Sequence, residues 1–196
     1  MVRGRPRKTD ADDVLDCAMK LFWEKGYAAT SMNDVAAKTG MAKPGLYATF
    51  GNKDALYSSA LNHYFDLFQD ALAALKAPDK PIALAVREFL VTVAKANTAP
   101  KGPCGCFLAN TLMETAGKSS DITSLAHEMN CARNAAFKQI FQRAAKNGEL
   151  PAADADKLAV FFSGQALALA ALASSGVGYA DMLSFIDVAM TALPET

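Results

Sequence analysis

The chain has 196 residues, 52% of them hydrophobic, enough to bury one large or two small cores. Its 20 basic and 20 acidic side chains cancel to a formal net charge of zero, which taken alone argues against a nucleic-acid partner. The charges are unevenly spread, however: residues 1–53 carry nine Lys/Arg against six Asp/Glu, and the remainder eleven against fourteen.

The chain opens with Arg3, Arg5, Arg7 and Lys8, followed by acidic residues and not by an apolar run. This reads as a basic arm able to reach DNA, with a merely solvated tail as the alternative, and not as a secretory signal. Thr9 or Asp10 is placed to cap a first helix. Val14, Leu15, Ala18, Leu21 and Phe22 form its apolar stripe, and Gly26 ends it.

The densest cluster of signals runs from Thr30 to Leu56. Ser31 is set to cap a second helix, with Asp34 three residues on, where a carboxylate reaches back to the cap. Met32, Val35 and Ala36 recur at helical spacing until Gly40, a helix stop. A third helix starts almost at once, with Pro44 in its first turn, where a missing N–H costs nothing. Two helices joined by so tight a glycine-containing turn predict a helix-turn-helix. Leu46 and Phe50 would face a core. Lys43, Gly45, Tyr47, Ala48 and Thr49 would then face outward, slight enough to enter a major groove and polar enough to meet phosphates and base edges.

Asn52 is positioned to cap a long fourth helix, which carries Leu56, Ala60, Leu61, Tyr64, Phe68, Leu72 and Leu75 on one side and stops at Pro78. Further helices are predicted over 82–97, 107–115, 121–147, 154–174 and 181–193. The eighth is apolar over most of its circumference and must be buried on more than one side. With the ninth it could supply half of an intermolecular four-helix bundle through Phe161, Gly164, Ala168, Leu172, Met182, Ile186 and Met190, or it could be ordinary intrachain core.

The helix-turn-helix resembles the DNA-binding domain of the TetR family of bacterial transcriptional repressors. Gly40 in the turn, Tyr47 and Phe50 as Y-x-x-F, and Lys53 opening the next helix match the family pattern. Ala42 stands where many members have a cap-forming serine, and Thr49 where many have histidine. The resemblance implies an all-α homodimer with a DNA-binding domain over 1–53 and a ligand-binding and dimerisation domain over 54–196. It implies a repressor released from a palindromic operator by a small molecule, working in the cytoplasm without a cofactor. Lys53 and Tyr47 would engage phosphates, Tyr47 also a base edge, Thr30 or Ser31 and the arm arginines would fix register, and Pro44 counts among the DNA-binding residues of the third helix.

In the second half, the G-C-x-x-x-N from Gly105 to Asn110, within C-G-C-F-L-A-N, resembles a pattern common to such regulators. Asn110 and Glu114 share a helix face and could present polar groups to an apolar cavity among Phe65, Phe89, Val93, Met113, Met129 and Phe137. Asn110 could equally bridge backbone. Cys106 falls near a helix start, which favours thiolate. Cys104 and Cys106, with His127 and Cys131 four apart on the seventh helix, could form a soft-metal or redox sensor; free cysteines are more often core. A helical thiol enzyme is a remoter alternative, since no orienting partner for His127 is evident and no P-loop, nucleophile elbow or dinucleotide fingerprint occurs.

Overall fold

The computed structural model describes residues 11–77, 80–99, 102–117 and 120–194. The described elements are all helical: α1 (Ala11–Lys25), α2 (Met32–Thr39), α3 (Lys43–Phe50), α4 (Lys53–Leu75), α5 (Ile82–Asn97), α6 (Phe107–Glu114), α7 (Asp121–Lys146), α8 (Ala155–Ser174) and α9 (Tyr179–Met190). This is the all-α architecture the sequence implied. The basic arm and the first cap at Thr9 or Asp10 lie outside the described residues.

The chain divides into two compact units, Met1–Tyr64 and Phe65–Thr196. The division falls inside α4, later than the 53/54 boundary read from sequence. Its physical basis is aromatic: Tyr57, 1% exposed, packs edge-to-face on Phe22 at 4.9 Å and on Tyr27 at 5.1 Å. Leu56, Ala60 and Leu61 on the same turns are fully buried, so the first turns of α4 belong to the N-terminal core.

In the C-terminal unit one continuous core joins Leu72 and Leu75 of α4 to Phe89 and Leu90 of α5, Phe137 and Phe141 of α7, Phe162 of α8 and Ile186 of α9. Phe141 stacks on Phe162 at 5.5 Å, and Phe89 meets Phe137 edge-on at 5.4 Å. Such rings contribute about 0.5–1.5 kcal/mol beyond the area they bury. Arg143 of α7 donates to the carbonyls of Lys76 and Ala77, so a cation satisfies the orphan acceptors just beyond α4.

Helix starts and stops follow the capping residues closely. Ser120 accepts from Thr123 N at 3.2 Å and opens α7, and Asn52 accepts from Ala55 N at 2.8 Å and opens α4. The ninth helix departs from expectation. It begins at Tyr179 behind Gly178 and ends at Met190, with Asp181 inside its first turn. A carboxylate there complements the helix dipole without being the cap, and this is why Asp181 looks like a start signal in the sequence.

Candidate nucleic-acid interface

The turn between α2 and α3 is built from caps. Ser31 Oγ accepts from Asp34 N at 3.2 Å, while the Asp34 carboxylate accepts from Ser31 N at 2.8 Å and from Ser31 Oγ at 2.5 Å. The Ser31 hydroxyl and then its backbone N–H hold the Asp34 carboxyl below the ordinary carboxylate range. Gly40 ends α2 at φ 72°, a left-handed conformation that side chains resist, and its N–H returns to Ala36 O. Ala42 then starts α3 without a side-chain cap, as its replacement of serine implied.

Leu46 is fully buried and anchors α3; truncating it to alanine would cost about 2–5 kcal/mol. Lys43, Pro44, Tyr47, Ala48 and Thr49 are exposed, leaving one face of α3 small and polar. Two expected contacts fall elsewhere. Thr30 is 1% exposed and donates to Gly26 O at 2.8 Å, so it locks the α1–α2 loop, and only Ser31 is left at the surface there. Gly45 is half-buried, and a Cβ at that position would sit 3.2 Å from Met41 Cγ. Its lack of a side chain lets the turn close over α3 and does not serve an outward contact.

Lys53, the first residue of α4, places its Nζ 4.1 Å from the centre of the Tyr27 ring, and the Tyr27 hydroxyl donates to the Asp54 carboxylate. Nothing in the local sequence marks Tyr27. It meets Lys53 only through the fold.

The eight residues expected to line an effector cavity fall in different places, with Phe89 and Phe137 meeting in the core and Asn110 and Met113 at a groove. Phe89, Val93 and Phe137 are packed in the core, Met129 is 5% exposed, Phe65 and Glu114 are half-buried, and Met113 is 71% exposed. Asn110 and Met113 instead line a groove of about 570 Å³ between α6 and α8, with Cys106, Leu167, Ala170 and Ser174. Gly105 explains the close approach of these elements: at φ 85°, any Cβ would lie 2.3 Å from Ser174 Oγ. A second groove, of about 520 Å³, runs between α7 and α8 past Arg133, Lys138, Ser163 and Gly164.

Cys106 is the N-cap of α6, its Sγ accepting from Ala109 N at 3.5 Å. Cys104, Cys131 and His127 are exposed. Among the described residues no three His, Cys, Asp or Glu side chains gather closely enough to hold a metal, so the soft-metal alternative for Cys104, Cys106, His127 and Cys131 finds no support in the fold.

The expected dimer residues also separate. Met182 and Ile186 are fully buried in the chain's own core, Ala168, Leu172 and Met190 are half-buried, and Phe161 is 38% exposed. Of that set Gly164 is exposed on the α8 face that also carries Val160, at 76% exposure, half-buried Leu167 and exposed Ala171.

The profile for "Bacterial regulatory proteins, tetR family" fits residues 14–60, and the "Tetracyclin repressor-like, C-terminal domain" fits residues 85–176. The chain is 31% identical over 195 residues to the HTH-type transcriptional repressor ComR of Escherichia coli K12, covering 98% of this chain and 93% of that one. It belongs to the TetR family. The uncharacterized HTH-type transcriptional regulator YezE of Bacillus subtilis 168 is 27% identical over 97% of this chain and 99% of its own. Among solved structures, a triple cysteine mutant of the TetR family regulator CifR, complexed with 26-base-pair double-strand operator DNA, superposes with TM-score 0.86 at 27% identity, covering 97% of this chain and all of that one.

This TetR-family protein is a DNA-binding transcriptional regulator, and its helix-turn-helix is the α2–α3 pair. The signals missed in the sequence are those that depend on distant residues: Tyr27 beneath Lys53, Arg143 beyond the end of α4, and the exposure of one side of α8. The sequence already set Gly164 in an intermolecular bundle; the exposure of Val160 beside it is given only by the fold.

Proposed function

We propose that the protein is a homodimeric repressor that binds a near-palindromic operator through α3 of each protomer and leaves it when a small organic molecule occupies the C-terminal unit. The observation that carries this reading is the exposed face of α3. A helix with Leu46 buried beneath it and only Lys43, Pro44, Tyr47, Ala48 and Thr49 above has the low relief that major-groove entry requires. The whole-length similarity to the ComR repressor and to CifR, solved with operator DNA, supports the sign of regulation and the partner.

Lys53, Tyr47, Lys43 and Ser31 set the phosphate register, joined by Arg3, Arg5, Arg7 and Lys8 of the arm. The effector occupies the α6–α8 groove, where Asn110 supplies the polar contact among Leu167, Met113 and Ala170. An effector that binds one conformation better displaces the C-terminal turns of α4, whose end Arg143 holds. Because α4 starts at Lys53, the shift spoils the spacing of the two recognition helices. Footprinting on the region upstream of the protein's own gene, followed by a screen of small apolar molecules for release, tests the reading. A protected inverted repeat that one compound frees is expected; protection without symmetry, or none, overturns it.

A further inference from the structure

We propose that Tyr27 is a positioning residue for DNA binding: its ring holds the Lys53 ammonium ready for a phosphate. The inference rests on the reading of Lys53 as a phosphate contact and adds the residue that makes the contact efficient. Lys53 is the first residue of α4, where the positive end of the helix dipole makes a cation unfavourable, so helix stability does not account for it. The Asp54 carboxylate in the same turn eases that cost, and the π face of Tyr27, 4.1 Å from Nζ, holds the ammonium in place. The ring itself is fixed from two further directions. Its hydroxyl donates to Asp54, and its side meets buried Tyr57 at 5.1 Å and 87°, which in turn packs on Phe22.

A free lysine would spend side-chain entropy on reaching a phosphate. Lys53 is ordered before DNA arrives, over a platform connected to the N-terminal core. The cation–π attraction is of a strength that corresponds to about a two- to fivefold change in affinity at an exposed site.

The test replaces Tyr27 with phenylalanine and with phenylalanines bearing successive ring fluorines, which weaken the π face while keeping its shape. Each is made with Lys53 and with Lys53→Ala, and affinity is read by fluorescence anisotropy on a duplex selected by the wild-type protein from a randomised library. Tyr27→Phe keeps the ring and loses the bond to Asp54, so it serves as the reference from which the fluorinated series is read. Successive fluorination should lower affinity stepwise by about two- to fivefold in total with Lys53 present, and leave it flat in Lys53→Ala. A flat series with Lys53 present, or equal slopes in both backgrounds, overturns the positioning role while leaving the phosphate contact intact. Unchanged binding by Lys53→Ala alone overturns both. Fluorination also alters the edge-to-face contact with Tyr57, but a packing defect lowers affinity equally in both backgrounds, so the difference between them reads the Lys53 contact alone.

Discussion

A phosphate-contacting lysine can be separated from the rest of an interface because each neutralised phosphate adds its own increment of salt dependence. Lys53→Ala should weaken binding to all duplexes alike and flatten the log–log salt slope by about one unit, measured by anisotropy across a potassium chloride series. An unchanged slope would remove Lys53 from the interface. Cysteine chemistry is separable by the same logic of one atom at a time. Cys106 caps α6 through Sγ, and serine is a better cap than cysteine, so Cys104→Ser/Cys106→Ser should fold and keep its operator affinity. If the effector binds noncovalently beside Asn110, the double variant also keeps its response. Lost induction with operator affinity intact would show that a thiol is the sensor.

At the scale of the element, the capping box of α2 links folding to pH. Asp34 has a depressed carboxyl pKa in the folded chain, so the unfolded chain binds the extra proton on acidification. Its contribution is therefore fully present above the ordinary carboxylate value of 3.8 and is lost as pH falls through the lower folded value. Thermal unfolding followed by circular dichroism should show a decline below about pH 4 that is shallower in Asp34→Asn; identical profiles would mean that the box adds nothing. This box, like the stop at Gly40 and the cap at Ser120, is legible in the sequence because each signal lies within four residues of what it caps. The exposed side of α3 was legible for the same reason, apart from Gly45, whose burial depends on where Met41 turns. Thr30 and Ser31 could not be distinguished, since adjacent hydroxyls differ only in which one the loop folds inward. Met182 and Ile186 show the stronger limit: apolar periodicity reports that a face is buried, and says nothing about whether the same chain or another buries it.

At the scale of the whole molecule, one helix-turn-helix reads only half of a palindrome, so tight binding needs two copies held at a fixed spacing of about one or two helical turns. The face of α8 formed by Val160, Gly164, Leu167 and Ala171, spaced four, three and four residues apart, has the repeat of a helix–helix seam. Gly164 is the position at which a second copy can be tested without disturbing the first. A Cβ there meets nothing within 4 Å in its own chain, and replacing glycine in mid-helix favours the helix by roughly 0.5–1 kcal/mol. Gly164→Glu should therefore fold at least as well as wild type when its unfolding is followed optically. Placed between two copies of α8, the same carboxylates would face each other across an apolar seam and lose their water. Wild type is expected to sediment as a dimer at micromolar concentration, and Gly164→Glu as a monomer whose operator affinity falls at least tenfold. Each released protomer would keep only its own half-site contacts. A Gly164→Glu protein that remains dimeric and binds like wild type would move the interface off this face of α8.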